Sequence, residues 1–457
     1  MLDAVELTSD EASCQTSSSV PECFDPTENH SGVDKEKGDT RPPFIELSIN
    51  KFGEKDTEKF PEGGYGWVVL IGTFFALNTT YGMVNTYGVY QIYYQEKYDT
   101  KPSIISLIGS LQPTIIYLSS IPVIWMHNTI GVRLTVLIGG LIMVFSLMMV
   151  SICNAIWQVF LAQGVLYGFG AGITFFTAMA VPPEWFKEKR ALAVGITASG
   201  SSLGGVIWPI AFQRLVNDVG FGWANRIIAF IFLPLLLISS YCIKSRFPKV
   251  KKQVMPNWGV CRDWKFVCVS LACSIGFFGV FPPVFYITEY CVRLGDVRSE
   301  VTNSILAILN ACTVVGRVLL PYLGDKIGRL NIMIPAILLS GILQFALWYP
   351  AKSAGLAIAF ASIWGMVAGS YIAAFPAVLG QLFGIKDYNS RLTVLFLMSA
   401  LPTLVGPSIT GIWIPTDATT VVGFNKVISF SGTMMIISGV LCLALRIVYS
   451  RKLFVFI

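Results

Sequence analysis

The sequence predicts an all-α membrane protein of twelve transmembrane helices arranged as two six-helix bundles. Hydrophobic residues make up 54% of the 457 residues and charged residues only 13%, about half the charged share of a soluble domain. The apolar residues fall in runs of the length that an α-helix needs to cross a bilayer, about 20 residues. These runs are too long, and alternate too little, for barrel strands. The composition excludes an ordinary cytosolic enzyme and a disordered protein.

The first 60 residues differ in charge from the rest of the chain. They hold 14 Asp or Glu against 6 Lys or Arg, whereas residues 61–457 hold 13 and 27. Residues 1–60 are rich in Ser, Thr and Pro and lack periodic apolar residues, so we predict a disordered, acidic tail. The ten cysteines form no Cys-x-x-Cys pair, and His30 and His127 are the two histidines. We expect no metal site and no cofactor.

Twelve apolar runs follow and divide into two sets of six. In the first set the predicted helices cover 65–91, 103–126, 132–152, 156–181, 191–213 and 224–243. In the second set they cover 266–290, 300–321, 330–350, 355–378, 391–413 and 427–447. The predicted organisation is an acidic tail at 1–60, an N-terminal bundle at 61–243, a basic linker at 244–265, a C-terminal bundle at 266–450 and a short tail at 451–457.

The Lys and Arg residues of the body are divided unevenly between the two ends of these helices. If both termini lie on one side, that side holds 18 of them, seven in the linker, and the opposite side holds 8. Arg317 falls inside a span. Because cytoplasmic loops carry the excess of positive charge, we predict that both termini are cytoplasmic. The plasma membrane is the expected location, and the vacuolar membrane is the alternative.

A short motif follows the eighth predicted helix. Asp325, Lys326, Gly328 and Arg329 have the spacing Asp-Lys-x-Gly-Arg, which resembles the loop motif of the major facilitator superfamily. Glycine permits a tight turn at the membrane face, the aspartate can cap the next helix, and the cations can hold lipid phosphate or a helix end. The copy after the second helix carries Asn128 where the family usually has Asp. The resemblance implies the major facilitator fold.

Two further motifs narrow the resemblance. Pro-Glu-Gly-Gly-Tyr-Gly-Trp at 61–67 opens the first helix, and Trp-Phe-Lys-Glu-Lys-Arg-Ala-Leu-Ala-Val-Gly at 185–195 opens the fifth. Both are similar to signatures of the monocarboxylate transporter family in its fungal form, which includes riboflavin-transporter-like members. The glutamate suits the positive end of the first helix. The residues of these motifs to which we assign a conformational role are Glu62, Gly63, Gly64, Trp67, Lys189 and Arg190.

The resemblance extends over roughly residues 61–450 and implies a function. It implies a secondary transporter in which two bundles rock around a central site, exposing it to each side in turn. Such a protein takes a small-molecule substrate, lies in the lipid bilayer and works as a monomer. The sequence contains no phosphate-cradling Gly-Lys-Ser/Thr loop for ATP-driven pumping, no nucleic-acid-binding module and no catalytic motif, so we do not expect an enzyme.

Arg317 is the strongest candidate for a functional residue because it lies inside the eighth helix. A charge near the bilayer centre costs about 3 kcal/mol on insertion scales, so this side chain should face the bundle interior. There a guanidinium can bind a carboxylate through two parallel hydrogen bonds. The alternative is a structural arginine that bonds backbone carbonyls or reaches the interface. The family resemblance implies the first role, since members carry a substrate-site arginine at this point.

Two positions depart from the proton-coupled members of that family. Those members carry Asp where this chain has Thr313, and Lys where it has Asn85. The set that would bind a proton and a monocarboxylate is thereby reduced to the arginine. We expect secondary active or facilitative transport of a small organic solute, such as a riboflavin-like vitamin or a carboxylate. Proton-coupled monocarboxylate symport is one alternative, and a non-transporting nutrient sensor is another.

Helix 1 carries a polar face. Asn78, Tyr81 and Asn85 are spaced by three and four residues and so share one side of the helix. Asn310 lies seven residues before the buried arginine, again on one face. These residues are candidates for binding a larger neutral or weakly acidic solute, with Tyr81 or Tyr87 stacked against a ring. The alternative is interhelical hydrogen bonding, worth about 0.6–2 kcal/mol per bond in membranes. By resemblance Phe375 is a candidate gate, and packing is its alternative.

Overall fold

The computed structural model describes residues 61–98, 102–246, 255–294, 299–384, 387–414, 421 and 423–449. Every regular element in these ranges is a helix, and they contain no strand. This confirms the all-α fold. The predicted tails at 1–60 and 451–457, and the middle of the predicted linker at 247–254, lie outside the described residues.

The helices follow one another along the chain as follows. The first half contains α1 (Tyr65–Asn85), α2 (Tyr87–Tyr98), α3 (Pro102–Leu118), α4 (Ser120–Thr129), α5 (Val132–Val150), α6 (Ile156–Val159), α7 (Tyr167–Ala180), α8 (Pro182–Trp185) and α9 (Arg190–Cys242). The second half contains α10 (Trp264–Arg293), α11 (Ser299–Ile327), α12 (Arg329–Leu343), α13 (Ala354–Ala368), α14 (Tyr371–Leu382), α15 (Tyr388–Ile412) and α16 (Phe424–Tyr449). Two π-helical segments, Phe160–Leu166 and Gln344–Trp348, and one 3₁₀-helix, Trp258–Arg262, complete the described helices.

The number of membrane spans depends on how two irregular helices are counted. Within the described residues, ten helical stretches are long and apolar enough to cross a membrane, and α3 with α4, which meet at a 41° bend, make an eleventh. Helix α9 counts once among the ten. Its 53 residues would extend for about 80 Å as one helix, more than twice the roughly 30 Å of a hydrocarbon core. Two spans therefore fit into α9.

The division of α9 occurs at a single residue. Gly220 has φ 80° and ψ 163°, a conformation that glycine adopts readily and other residues avoid. Split there, α9 supplies the predicted fifth and sixth spans, and the described residues contain twelve spans in all. The prediction of a non-helical connection over 214–223 is wrong. Helix continues on both sides of this glycine, and this one residue is enough to interrupt it.

Helices from the two halves of the chain contact each other along two seams. The first part of α9 packs against α11, and α3 packs against α15. The α9–α11 contact is close because a Cβ added at Gly195 would collide with the carbonyl oxygen of Arg317. The chain from Lys59 to Ile457 forms one compact unit. The predicted boundaries of the two bundles remain predictions.

Candidate functional site

The buried arginine of the eighth span, Arg317, joins three helices. Its side chain is 7% exposed. Its Nε donates to the carbonyl oxygen of Gly369 at 2.9 Å, in the break between α13 and α14. Its Nη1 donates to the carbonyl oxygen of Ala198 in α9 at 2.7 Å and to the hydroxyl of Ser201. These contacts are of the structural kind, but Nη2 makes no hydrogen bond to any described residue, so one nitrogen remains for a ligand.

Two buried tyrosines interact electrostatically with this guanidinium. Tyr81 in α1 and Tyr117 in α3 are both buried, and both lie within electrostatic range of Arg317. The two hydroxyls are near each other, yet in the described part of the chain neither has a partner with good hydrogen-bond geometry. Leaving a buried hydroxyl unpaired costs about 1–3 kcal/mol. We call Arg317 Nη2 and these two hydroxyls the polar centre.

Buried aromatic rings from both halves of the chain surround the polar centre. Ring centroids of neighbouring members lie between 5.0 and 6.4 Å apart. Three rings come from α1, α3 and α7, and three come from α10, α14 and α15. Such rings can sandwich a planar solute by offset stacking. This central aromatic cluster consists of Tyr81, Tyr117, Phe175, Phe277, Tyr371 and Phe396.

Sequence reasoning found one member of this cluster, Tyr81, and missed the other five. The chain has 31 Phe and 17 Tyr, most of them in apolar runs, so no pattern distinguishes a ring at the centre from a ring in lipid. The predicted gate, Phe375, is buried and packs edge-on against Tyr371 at 5.0 Å. It therefore extends the cluster by one ring on the side of Tyr371.

The residues of the predicted polar face of helix 1 contact different parts of the structure: the asparagines bond α9, whereas the tyrosine packs among aromatic rings. Asn78 Nδ2 donates to the carbonyl oxygen of Gly200 at 3.2 Å, and Asn85 Nδ2 to that of Ser201 at 3.4 Å. From the other half, Asn310 Nδ2 donates to the carbonyl oxygen of Gly205 at 3.3 Å. All three amides therefore bond the same stretch of α9 that Arg317 bonds. These are interhelical hydrogen bonds, the alternative that the sequence left open.

Thr313 does not join this group. Its hydroxyl donates to the carbonyl oxygens of Leu309 in its own helix at 2.8 Å and of Gly365 in α13 at 3.1 Å. The position at which the family resemblance implies an aspartate thus faces α13. The structure brings Arg317, Asn78, Asn85 and Asn310 to the α1–α9–α11 junction and leaves Thr313 beside it. Tyr81 packs instead against rings of α3 and α7.

The loop motif, which begins in the last turn of α11, makes a contact that sequence reasoning did not foresee. Asp325 accepts hydrogen bonds from the backbone N–H groups of Ala191 at 3.1 Å and Leu192 at 2.8 Å, in the first turn of α9. The expectation that it caps the next helix is wrong: Gly328, with φ 111°, precedes α12 and no side chain caps that helix. Asp325 reaches α9 instead because α11 and α9 lie side by side.

The cations of this motif have separate roles. Arg329 pairs with Asp325 at 2.7 Å and donates through Nη2 to the carbonyl oxygen of Lys187 at 3.0 Å. Arg190, the first residue of α9, donates to the carbonyl oxygen of Gly380 in α14. Together with the Asp325 bonds, these contacts tie the start of α9 to the second half. Lys326 is exposed and lies 4.4 Å above the ring of Tyr322.

The two motifs that open the first and fifth helices meet each other in space. The carboxylate of Glu62 accepts hydrogen bonds from the backbone N–H groups of Lys187, Glu188 at 2.8 Å and Lys189 at 3.4 Å. The ring of Trp67 packs against Phe186 at 5.5 Å. The carboxylate of Glu62, which we expect to suit the positive end of the first helix, also holds the loop that leads into α9.

The glycines of the first motif shape this approach. Gly64 precedes α1 with φ 59°, in the left-handed region. The carbonyl oxygens of Gly63 and Gly64 accept hydrogen bonds from the N–H groups of Gly66 and Trp67 at 3.1 and 3.2 Å. This tight turn lets the chain enter α1 while Glu62 faces the loop before α9.

Fold and site together define a class: a multi-pass helical membrane protein whose two halves meet around a buried guanidinium and closely packed aromatic rings. Residues 69–407 match the family model described as Major Facilitator Superfamily. The chain is 34% identical over 397 residues to an MFS-type transporter of Ophiocordyceps sp., which covers 86% of this chain and 88% of that protein. It is 33% identical over 388 residues to an agnestins efflux protein of Paecilomyces divaricatus (83% and 87% covered). It is 31% identical over 398 residues to an aspyridones efflux protein of Emericella nidulans (86% and 80% covered).

The chain therefore belongs to the major facilitator superfamily. It is a multi-pass membrane transporter and not an enzyme, as the sequence predicted. The finer resemblance to the monocarboxylate transporter family and its riboflavin-transporter-like members stays a prediction, because these matches are named as MFS-type transporters and efflux proteins.

Proposed function

We propose that this transporter carries a small organic solute with an aromatic ring and an acidic oxygen, by alternating access around the polar centre. The observation that supports this most is the combination of one unused guanidinium nitrogen with two unpaired tyrosine hydroxyls. All three are hydrogen-bond donors, and an anionic oxygen accepts from all of them. Hydrogen bonds to a charged partner are roughly twice as strong as those between neutral groups.

The surrounding rings favour a larger solute over lactate. A planar ring stacks on the central aromatic cluster and gains dispersion and quadrupole attraction, about 0.5–1.5 kcal/mol per ring pair beyond area burial. A three-carbon acid could bind at the polar centre, but it has no ring to stack on the central aromatic cluster. A riboflavin-like heteroaromatic or an aromatic carboxylate provides both parts.

We propose facilitative or solute-driven transport ahead of proton symport. Asn85 and Thr313, where the family resemblance implies Lys and Asp, are neutral and bond backbone carbonyls. Within the described residues, the hydrogen-bond partners of Arg317 are two carbonyls and a hydroxyl, none of which titrates near neutral pH. Proton-coupled monocarboxylate symport remains the alternative.

Efflux is the direction that we propose, because two relatives are named for the efflux of agnestins and aspyridones. The excess of Lys and Arg at one end of the spans supports both termini in the cytoplasm. We propose a monomer in the plasma membrane, with the Asp325 contacts closing the cytoplasmic side.

Transport by the purified full-length chain in liposomes tests this proposal. Labelled riboflavin and 2,4-dihydroxybenzoate are compared with labelled lactate and pyruvate at pH 5 and pH 7. We expect flux of at least one ring-bearing solute and no saturable flux of the two small acids. Arg317→Gln should lower the flux at least about tenfold, the effect of roughly 1.4 kcal/mol.

Arg293→Gln is the matched control, because that arginine lies at the far end of α10 and pairs with Glu289. It should transport like the unaltered chain. Saturable lactate or pyruvate flux that rises at pH 5, with no flux of ring-bearing acids, would establish the proton-coupled alternative instead.

A further inference from the structure

One face of α10 changes from aromatic rings to hydroxyl groups at Phe277. Phe277 contacts Tyr117 of the first half, with ring centroids 5.5 Å apart, and stacks on Phe281 at 5.7 Å. In the opposite direction along the helix, Ser274 and Ser270 lie three and seven residues before Phe277, hence on the same face. The two serines therefore lie on the side of α10 that meets the first half of the chain.

The hydroxyls of both serines are buried without a partner. Ser270 is fully buried and Ser274 is 7% exposed. In the part of the chain that the structure describes, neither hydroxyl makes a hydrogen bond. A serine inside a helix commonly bonds the carbonyl four residues earlier, as Ser399 of α15 does with Leu395 at 2.9 Å. The hydroxyls of Ser270 and Ser274, which we call the α10 hydroxyl pair, remain available to a ligand.

An aromatic ring lies on each side of the α10 hydroxyl pair. Toward the start of α10, Phe266 is fully buried and packs edge-on against Phe383 at 5.9 Å. Phe266 lies four residues before Ser270 and so shares its face. Toward the middle of α10 lies Phe277, a member of the central aromatic cluster. The pair is therefore a polar step between two apolar rings, next to that cluster.

Cys273 connects this step with the polar centre. Its Sγ accepts a hydrogen bond from the Ser399 hydroxyl at 3.8 Å, and Ser274 follows it directly in the chain. Tyr117, whose hydroxyl belongs to the polar centre, lies within electrostatic range of both Cys273 and Arg317. The polar groups of α10 and the guanidinium therefore meet around the same tyrosine.

We propose that the α10 hydroxyl pair binds a neutral oxygen at the far end of the solute. This inference rests on the function proposed above and divides the solute into three parts. The acidic oxygen lies at the polar centre, the ring packs on Phe277 and Tyr117, and a hydroxyl or carbonyl oxygen reaches Ser274. Along the helix axis Ser274 is three residues, about 4.5 Å, from Phe277, a step comparable in length with a substituted benzene ring.

The chemistry of the pair selects a neutral group. A serine hydroxyl donates one hydrogen bond and accepts others, so it pairs with a hydroxyl or with a carbonyl oxygen. It carries no charge to offset a second carboxylate, whose burial without a cation costs far more than burial of a neutral polar group. The site therefore accepts an aromatic monoacid with a neutral polar substituent and excludes a diacid of the same shape.

Binding of three related acids to the purified full-length chain in nanodiscs tests the proposal. Cinnamate has the ring and the acid, 4-hydroxycinnamate adds a neutral hydroxyl, and 4-carboxycinnamate adds a second charge. We expect isothermal titration to give 4-hydroxycinnamate an affinity about fivefold above that of cinnamate, the effect of one hydrogen bond between neutral groups. The diacid should bind more weakly than cinnamate.

The double variant Ser270→Ala with Ser274→Ala removes the pair without changing the charge of the protein. It should bind both monoacids with the affinity that the unaltered chain has for cinnamate, and its Tm without solute should be unchanged or raised. Ser239→Ala is the matched control, because Ser239 is also fully buried without a hydroxyl partner among the described residues but packs against Gly72 within the first half. This control should keep the preference for 4-hydroxycinnamate.

The outcomes distinguish this inference from the proposed function. Equal affinity for the two monoacids, or a preference that survives in the double variant, overturns the inference; cinnamate binding that Arg317→Gln abolishes still upholds the function. Tighter binding of the diacid also overturns the inference, because it would require a cation at the pair. Absence of binding by all three acids overturns both.

Discussion

At the scale of single residues, the informative groups are polar atoms that the fold leaves unpaired. The described residues include ten buried tyrosines. Eight of them donate a hydrogen bond, such as Tyr90 to Asn225 at 2.7 Å and Tyr167 to the carbonyl oxygen of Thr79 at 2.6 Å. Tyr81 and Tyr117 do not. This contrast supports the proposal that the hydroxyls of Tyr81 and Tyr117 bind the solute.

We predict that removing either hydroxyl weakens solute binding without lowering the stability of the solute-free protein. Tyr81→Phe and Tyr117→Phe should leave the thermal unfolding temperature of the solute-free protein unchanged or raised, because an unpaired buried hydroxyl costs about 1–3 kcal/mol. Each should weaken solute binding about tenfold, measured as the solute-induced rise in Tm.

Tyr167→Phe is the matched control for this prediction. It breaks a hydrogen bond to Thr79 and leaves that carbonyl unpaired, so it should lower the stability of the solute-free protein by about 1 kcal/mol and spare binding. A clear loss of stability in Tyr117→Phe would show that its hydroxyl has a structural partner.

At the scale of elements, the start of α9 is the point to which both sequence motifs converge. Its first N–H groups bond Asp325 from the second half, and the loop before it bonds Glu62 from the first half. A helix N-terminus carries about half a positive charge and attracts carboxylates. The same helix later accepts Arg317 and three asparagines on its carbonyls.

We predict that Asp325→Asn releases the second half from α9. The variant loses a charged cap worth about 0.5–2 kcal/mol and unpairs Arg329. A reporter cysteine introduced by Ala377→Cys, at a buried position next to Arg329, should then react faster with a membrane-impermeant maleimide. The reagent is added from the predicted cytoplasmic side, and the reaction is followed by mass spectrometry.

Asp263→Asn provides the comparison for that experiment. Asp263 caps its own helix, α10, at the N–H of Lys265, so its loss should lower stability without exposing the reporter at position 377. Equal maleimide rates in both variants would show that Asp325 does not hold the closed form.

We predict that Glu62→Gln loosens the loop before α9. The amide keeps the shape of the side chain but loses the charge that holds three backbone N–H groups. Trypsin should cleave after Lys187 and Lys189 several-fold faster in this variant. Glu188→Gln removes a neighbouring exposed charge, and trypsin should cleave this variant at the original rate. An equal acceleration in Glu188→Gln would show that the effect comes from the lost negative charge and not from the hydrogen bonds of Glu62.

At the scale of the whole molecule, the proposed alternating access requires the two halves to separate and re-form contacts on either side of the polar centre. The α9–α11 seam runs from the Asp325 contacts at Ala191 to the bond between Asn310 and Gly205. Close helix approach without a hydrophobic driving force depends on small residues and interhelical bonds. Opening toward the Asp325 side requires this whole seam to part.

We predict that Gly195→Ala stops transport by holding α9 and α11 apart. An added Cβ would meet the carbonyl oxygen of Arg317, a backbone atom that cannot rotate away. Flux in liposomes should fall at least about tenfold, the effect of roughly 1.4 kcal/mol. Stability should decrease even though alanine favours helix over glycine by about 1 kcal/mol.

Gly88→Ala in α2 is the control, because a Cβ there meets nothing within 4 Å. It should be neutral or slightly stabilising and should transport normally. Full flux in Gly195→Ala would mean that the seam tolerates a wider separation than this structure has.

Several features of this protein followed from its sequence alone. Twelve spans are visible because a bilayer demands about 20 consecutive apolar residues, a constraint that is local in the chain. The superfamily is visible because Asp325, Lys326, Gly328 and Arg329 stand at a fixed short spacing. Arg317 is visible because one charge in an apolar run is costly wherever the run packs.

Only the tertiary structure decided which groups meet. Asp325 caps a helix that begins more than 130 residues earlier, and Glu62 holds a loop some 125 residues later. Tyr117 comes within electrostatic range of Arg317 across the two halves. Asn78 and Asn85 share a face with Tyr81 in sequence, yet the asparagines bond α9 while the tyrosine enters the aromatic cluster. Helical periodicity gives the direction of a side chain around its own axis, but the packing of distant helices determines what lies in that direction.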